Sequence, residues 1–275
     1  MTEAGPGKLS AVTLGFIGAG NMGRAIIRGL LAAGRVAAEN VVFYDPDPRR
    51  QAELQNLGVR AAPDHAGVMP SQVVILAVKP QIIPPVLDSI REYARPGQLI
   101  ISIAAGVTLK TLETALPQCR AIRVMPNTPT LVGAGMAALA LGSRATQKDA
   151  DLALEIFTAV GRAVVVEERL LDAVTGLSGS GPAYVAVFLE ALTDGGVKMG
   201  LPRSLALLLA TQTVIGAARL CLEGEIPPGH LKDLVTSPGG TTIAGLHVLE
   251  EGRFRGLIMS AIEAATLRAR ELGRE

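Results

Sequence analysis

The sequence predicts an α/β domain followed by an all-α domain, on three observations. Short apolar runs alternate with longer amphipathic stretches over residues 12–168, which is the pattern of parallel strands buried on both faces. A glycine-rich segment follows the first of these runs and opens an amphipathic stretch. Beyond residue 168 the strand pattern stops and helical stretches follow. We therefore predict one domain over residues 1–168 and a second, helical domain over residues 169–275.

Seven apolar runs are predicted to be the strands of the first domain. In chain order they read VTLGFIG, NVVFYD, VVILAV, LIISIAAGV, AIRVMPN, AALALG and RAVVVEE. Helical patterns stand between them, including residues 22–33 and 147–160. This alternation is typical of a doubly wound, Rossmann-like fold with a mainly parallel sheet.

The second domain is predicted to contain helices at residues 172–200, 203–223 and 242–275, with breaks at 200–202 and 227–240. The middle helix is apolar on more than one face, and a helix of that kind needs burial on several sides. Polar residues interrupt it, so we interpret it as a buried helix and not as a membrane span. We expect a second subunit to cover it; the alternative is the central helix of a monomeric bundle.

The composition favours a protein that acts on small molecules, without nucleic-acid or membrane partners. The net charge is +1 and only 3% of the residues are aromatic, so neither a basic field nor base-stacking platforms are expected. Cys119 and Cys221 lie far apart and residues 1–10 lack a secretory pattern, which together predict a cytoplasmic protein. The three histidines are never spaced like metal ligands, so we predict no metal.

The segment Gly18-Ala19-Gly20-Asn21-Met22-Gly23 predicts a dinucleotide site, because it follows a strand and opens a helix. Gly18 permits a tight turn, Gly20 lets the backbone approach a pyrophosphate, and Gly23 lets the helix pack closely on the strand. The helix N-terminus supplies free N–H donors. More cofactor contacts are expected where later strands end, at Ala77, Val78, Lys79, Pro80, Ala104, Ala105 and Asn127.

Asp45, at the end of the second strand, leaves the choice between NADH and NADPH open. A carboxylate at this place can hold the ribose hydroxyls of the adenosine, which favours NADH. Arg49 and Arg50 follow closely and suit the 2′-phosphate of NADPH instead. Asp45 can also simply begin a turn in Asp-Pro-Asp-Pro.

The segment Ser237-Pro238-Gly239-Gly240-Thr241-Thr242 predicts a site for a carboxylate. It is a glycine-rich turn that runs into a helix, so bare backbone N–H groups and the helix dipole attract an anion. The alternative is that Thr241 or Thr242 merely caps the helix.

Six strings spread in order over almost the whole chain resemble pyrroline-5-carboxylate reductases: GFIGAGNMG, AVKP, SIAAGV, MPNTP, TGLSGSGPAY and SPGGTTIAGLHVLE. The resemblance implies hydride transfer from NADPH or NADH to 1-pyrroline-5-carboxylate, giving L-proline in the last step of proline biosynthesis. It implies a homodimer through the helical domain, and further assembly into a decamer of dimers. It also implies that the last string binds the substrate carboxylate.

Within that string, the resemblance implies that Thr242 is catalytic, because the matching threonine hydrogen-bonds the ring nitrogen. We expect Thr242 to orient the ring and relay a proton to water. The implied substrate contacts are Glu168, Glu225, Ser237, Gly239, Gly240, Thr241 and Thr242, although both glutamates could equally be solvated. Some relatives carry Ser or Thr where Asp45 stands, so the family's usual preference for NADPH does not carry over to this chain. Some have an asparagine near the adenosine where His65 stands, so that contact is not supported here.

Two other enzymes and one binding protein are alternatives. A β-hydroxyacid dehydrogenase would need a lysine and an asparagine where Val185 and Phe188 stand. A reductase of another cyclic imine is harder to exclude, because one methylene is worth only ~1–3 kcal/mol of discrimination. A nucleotide-sensing module without turnover would need only the glycine-rich segment at residues 18–23, and would leave the anion loop at residues 237–242 without a ligand.

Overall fold

The computed structural model describes residues 8–273, which pack as two compact units. The first contains the chain up to Gly179 together with the C-terminal residues from Ala264 onward, and the second is Ser180–Glu263. The sequence pattern suggests a division after residue 168 instead. The compact unit extends further because Leu171, beyond that point, is fully buried in its core.

The first unit contains one eight-stranded sheet in the order β3-β2-β1-β4-β5-β6-β7-β8. All neighbouring strands are parallel except β6 and β7, which are antiparallel. The expected fold with a mainly parallel sheet is confirmed, and the short strand β3 is an addition to the predicted strands. The strands are β1 (Leu14–Ile17), β2 (Val41–Tyr44), β3 (Arg60–Ala61), β4 (Val73–Leu76), β5 (Leu99–Ser102), β6 (Arg120–Met125), β7 (Gly135–Leu141) and β8 (Gly161–Val165).

Two apolar cores lie on opposite faces of this sheet, because successive side chains of a strand point to opposite sides. Phe16 belongs to one core and its neighbour Ile17 to the other, and both are fully buried. Helices cover both faces, as buried apolar strands require. They are α1 (Asn21–Ala32), α2 (Pro48–Gln55), α3 (Ile83–Ile90), α4 (Leu109–Ala115), α5 (Gln147–Thr158) and α6 (Leu171–Val174).

The second unit is helical over its described residues, as predicted. Its helices are α7 (Gly181–Lys198), α8 (Arg203–Leu222), α9 (Pro228–Leu234), α10 (Thr241–Glu251) and the first part of α11 (Phe254–Leu272). Three details differ from the prediction. The helix expected over residues 172–200 consists of α6, a π-helical turn (Thr175–Gly179) and α7. Helix α9 lies in a stretch expected to be a break, because Pro228 occupies the first helical position, where proline is tolerated. Arg253, with a φ of 55°, separates α10 from α11.

Helix α8 exposes most of its apolar side chains. Only Ala206 and Ala210 are buried, whereas Leu208 is 65% exposed. The interpretation of α8 as the central helix of a monomeric bundle is therefore wrong. By length and composition this is also the one helix among residues 8–273 that could cross a membrane, with a mean hydropathy of 1.7.

Candidate active site

A cleft of about 780 Å³ lies at the carboxyl ends of the central strands of the first unit. This is the edge at which open α/β sheets bind ligands. Nine of the predicted cofactor residues line it: Gly18, Gly20, Asn21, Met22, Asp45, Ala77, Val78, Lys79 and Ala105.

The three glycines of the first turn differ in what surrounds them. A Cβ on Gly18 would lie 2.7 Å from the carbonyl oxygen of Ala77, and Gly18 has a φ of +98°. Both the lack of space and the backbone conformation therefore exclude a side chain at this position. A Cβ on Gly23 would lie 2.6 Å from the carbonyl oxygen of Gly18. A Cβ on Gly20 would meet no atom within 4 Å. Gly18 and Gly23 thus serve the packing of the turn, whereas Gly20 leaves open space beside the helix.

Gly20 is also the N-cap of α1, and no side chain caps the first turn of that helix. The first-turn N–H groups are therefore available to an outside acceptor, and the helix dipole favours a negative one. Open space at Gly20 and bare N–H donors are what a dinucleotide pyrophosphate requires. The residues present fit such a cofactor.

Asp45 binds to the protein itself. Its Oδ2 accepts a 2.7 Å hydrogen bond from the backbone N–H of Ala19, and its Oδ1 accepts one of 3.0 Å from the N–H of Asp47. Arg50 lies 3.4 Å from Oδ2, and Asp45 as a whole is only 2% exposed. The carboxylate thus ties the glycine turn to β2 and begins the turn in Asp-Pro-Asp-Pro, which is the alternative considered from the sequence.

Five predicted cofactor residues do not line the cleft: Ala19, Gly23, Pro80, Ala104 and Asn127. Ala104 is 4% exposed. The side chain of Asn127 accepts a hydrogen bond from the N–H of Met136 at 2.8 Å and donates one to the carbonyl of Ser178 at 3.0 Å. Asn127 thereby connects strand β7 to the helical turn that follows α6.

Tyr44 and His65 line the cleft but are absent from the predicted set. Their rings are perpendicular, with centroids 4.8 Å apart. Burial lowers the pKa of His65, and the charge of Asp64 opposes that shift. No local motif marks this pair, because only the fold brings the end of β2 to the residues that follow β3.

Glu168 is part of an ion-pair cluster in the first unit. Its Oε1 accepts a 2.7 Å hydrogen bond from the N–H of Leu109 and one of 3.1 Å from Arg123. The side chain of Arg123 is 8% exposed, and Asp172 lies 3.7 Å from it. One oxygen of Glu168 thus compensates the charge of a buried guanidinium, and this ion pair accounts for the position of Glu168 shortly after β8.

The predicted anion loop of the second unit forms a tight turn. The N–H of Gly240 donates to the carbonyl of Ser237 at 3.0 Å, and Gly239 has a φ of +65°. Gly240 is the N-cap of α10 and provides no side-chain cap. Thr241 and Thr242 lie inside the helix, so the alternative that either residue caps it is wrong. The first-turn N–H groups of α10 are therefore left without a side-chain acceptor.

The hydroxyl of Thr242 has no hydrogen-bond partner among residues 8–273. A cavity of about 560 Å³ adjoins Gly239 and Gly240, and Lys232 and Arg255 are among its lining residues. Lys232 pairs with Asp233 at 2.7 Å, and this contact lowers the pKa of Asp233. Glu225 is exposed, with the strained backbone φ of 52°.

Metal ligation has no candidate in residues 8–273, where no three His, Cys, Asp or Glu side chains form a group that could hold an ion. A Rossmann-like sheet with a cleft at its glycine turn is the architecture of dinucleotide-binding proteins. A family model described as NADP oxidoreductase coenzyme F420-dependent matches residues 13–106, and this match defines the class of protein: the chain is an NAD(P)H-dependent oxidoreductase.

A second family model, described as Pyrroline-5-carboxylate reductase dimerisation, matches residues 168–272. Pyrroline-5-carboxylate reductase of Pisum sativum is 46% identical over 94% of this chain and 96% of its own length. The enzyme of the same name from Methanosarcina acetivorans is 48% identical over 95% and 98%. The chain belongs to the pyrroline-5-carboxylate reductase family, and residues 168–272 are an oligomerisation region.

Solved structures agree with this assignment. A pyrroline-5-carboxylate reductase from Coxiella burnetii superposes with a TM-score of 0.91 at 38% identity, covering 96% of this chain and 99% of that one. The Plasmodium falciparum pyrroline carboxylate reductase with NADP bound gives 0.87 at 34%, covering 96% and 99%. A 3-hydroxyisobutyrate dehydrogenase from Mycobacterium tuberculosis shares the fold alone, at 16% identity, a TM-score of 0.52, and 70% and 67% coverage.

Proposed function

We propose that the chain reduces the C=N bond of 1-pyrroline-5-carboxylate to L-proline, with NADH or NADPH as reductant. The observation that carries the proposal is the uncapped, glycine-turned N-terminus of α10, which suits a substrate carboxylate. Membership of the reductase family supports the same substrate. A β-hydroxyacid substrate lacks support, because Val185 and Phe188 stand where the catalytic lysine and asparagine would be.

NAD(P)H, when bound, supplies the hydride that the imine carbon receives. The turn from Gly18 to Gly23 would hold the pyrophosphate on the N–H groups of α1. Asp45 would keep that turn in place through Ala19, and would contact the coenzyme only with its exposed edge. The remaining coenzyme contacts proposed are Ala77, Val78, Lys79, Pro80, Ala104, Ala105 and Asn127.

The second unit would hold the substrate. The proposal gives the carboxylate to the backbone N–H groups of Gly239, Thr241 and Thr242, with the hydroxyl of Ser237 beside them. Gly240 lines the same loop, and its own N–H closes the turn by donating to the carbonyl of Ser237. The free hydroxyl of Thr242 would bind the ring nitrogen and relay a proton between it and water. An already protonated imine needs no strong acid, and the high pKa of a threonine hydroxyl therefore does not prevent this role. Glu225 completes the substrate contacts proposed for this unit. Glu168, in the first unit, stays a predicted substrate contact, with only its second oxygen available for that role.

The proposed assembly is a homodimer through the helical unit, with a decamer of dimers as the larger form. The exposed leucines of α8 support this, because a stable helix does not leave such a face in water. We also propose that the protein works in the cytoplasm on a small-molecule substrate, without nucleic-acid or membrane partners.

The test uses three imines, of which the first two differ only in the carboxylate and the third in ring size. Oxidation of NADPH and of NADH is followed with 1-pyrroline-5-carboxylate, with 1-pyrroline, and with the six-membered carboxylated homologue. We expect kcat/KM to be at least about 100-fold higher for the first imine than for 1-pyrroline, since charge-assisted hydrogen bonds contribute about 1.5–3 kcal/mol each. Equal values for these two would remove the carboxylate from recognition. The homologue measures selectivity for ring size.

A further inference from the structure

Ser89 fixes the position of the proton on His65. The hydroxyl of Ser89 donates its single hydrogen to the carbonyl oxygen of Val86 at 2.7 Å. It must therefore accept from His65 Nδ1, which lies 2.8 Å away. The neutral imidazole thus carries its hydrogen on Nδ1, and Nε2 presents a lone pair.

The fold places this imidazole at one end of the cleft. His65 lines the cleft together with Tyr44, Asp45 and Arg50, at the end of β2. In Rossmann-like sheets this end receives the adenosine ribose. Tyr44 stands perpendicular to the imidazole, at an angle of 89°, and limits rotation of the ring. No group among residues 8–273 pairs with Nε2.

We propose that Nε2 of His65 reads the 2′ position of the adenosine ribose, so that preference for NADPH over NADH increases as the imidazole becomes protonated. The unprotonated Nε2 accepts a hydrogen bond from the 2′-hydroxyl of NADH. The protonated Nε2 donates one to the 2′-phosphate of NADPH and attracts its charge. This inference rests on the proposed coenzyme site.

The surrounding charges are compatible with such a titration. Burial lowers the pKa of His65 and Asp64 raises it, with burial the larger effect, so the surroundings favour the neutral imidazole in the free protein. Asp45 and Arg50 face the same cleft but largely neutralise each other, and Lys79 is the remaining charge in the lining. The neighbours from α3 and β2 are the hydroxyl of Ser89 and the phenol ring of Tyr44. A 2′-phosphate is expected to raise the pKa of His65.

The experiment is calorimetry of NADP⁺ and NAD⁺ binding to the full chain between about pH 5.5 and about pH 8, the range in which histidine titrates. We compare the wild type with His65→Gln, which keeps hydrogen-bonding groups but does not titrate. Exposed His230, on α9, gives the matched control His230→Gln. The preference for NADP⁺ is the Kd of NAD⁺ divided by the Kd of NADP⁺. On going from the higher to the lower pH, this ratio should rise about tenfold more in the wild type and in the control than in His65→Gln. The pH dependence that remains in His65→Gln comes from titration of the 2′-phosphate itself, whose second pKa is about 6. Parallel curves for all three proteins would overturn the inference.

A second measurement needs no variant at position 65. Proton NMR of the histidine rings, assigned with His230→Gln and His247→Gln, gives the pKa of His65 with each nucleotide. NADP⁺ should raise this pKa and NAD⁺ should not; equal shifts would overturn the inference. Neither measurement contains an imine, so both decide the role of His65 even if the proposed substrate is wrong.

Discussion

Gly20→Ala should weaken coenzyme binding and leave the fold almost unchanged. The added methyl meets no protein atom within 4 Å, and the φ of Gly20 is −63°, which alanine adopts readily. Alanine is a poorer N-cap than glycine by about 1 kcal/mol or less, and the loss of unfolded-state entropy returns about 0.4–1 kcal/mol. The net change in the free energy of unfolding is therefore close to zero.

Coenzyme binding should respond very differently. The methyl would occupy the space in which a pyrophosphate approaches the N–H groups of α1. Loss of one charge-assisted hydrogen bond costs about 1.5–3 kcal/mol, which corresponds to a roughly 10- to 100-fold rise in Kd. NADH and NADPH should weaken equally, because the pyrophosphate is common to both.

The matched control is Gly18→Ala in the same turn. Its Cβ would lie 2.7 Å from the carbonyl oxygen of Ala77 at a φ of +98°, so backbone strain and overpacking together should cost about 2–5 kcal/mol of stability. Urea unfolding and fluorescence titration with both coenzymes measure the two effects. A Gly20→Ala protein with wild-type affinity would refute the placement of the pyrophosphate at this helix.

Three more substitutions give separable results. Asp45→Asn should lower the free energy of unfolding in urea by about 1–3 kcal/mol, because the N–H of Ala19 or of Asp47 loses its acceptor. The same change should raise KM for both coenzymes together. A changed ratio of the two KM values at unchanged stability would contradict this. Thr242→Val should lower kcat about tenfold or more at unchanged Tm, whereas wild-type turnover would remove the hydroxyl from the reaction. Leu208→Glu should shift the mass measured by light scattering towards that of the monomer. The control is Leu57→Glu, at an exposed leucine of the first unit, which should leave the mass unchanged. An unchanged mass for Leu208→Glu would place the interface elsewhere.

Much of the fold was predictable because continuous apolar runs and the glycine turn carry unambiguous local signals. Strand β3 escaped prediction because two residues, Arg60 and Ala61, are too few to show a pattern. Helix α9 escaped because Pro227 and Pro228 read as a break, although Pro228 fits the first turn. The end of α10 was missed because Arg253 adopts a left-handed conformation that its sequence does not reveal.

The cleft at the glycine turn was predictable in position, but the direction of its side chains was not. The sequence places Asp45 at the end of β2, but only the fold shows that its carboxylate turns towards the N–H of Ala19. The sequence did not bring His65 into the predicted set, since its neighbours Tyr44 and Ser89 are distant in the chain. The glycine turns and helix N-termini could be predicted from sequence motifs, because they are local features of the backbone.

The central claim, hydride transfer to a cyclic imine, is tested most directly with coenzyme that carries deuterium at C4 of the nicotinamide. The full chain is incubated with this coenzyme and 1-pyrroline-5-carboxylate, and the product is analysed by mass spectrometry. The account predicts L-proline with one deuterium at Cδ, the carbon that was doubly bonded to nitrogen. Coenzyme consumption that does not depend on the imine, or proline without the label, would contradict it.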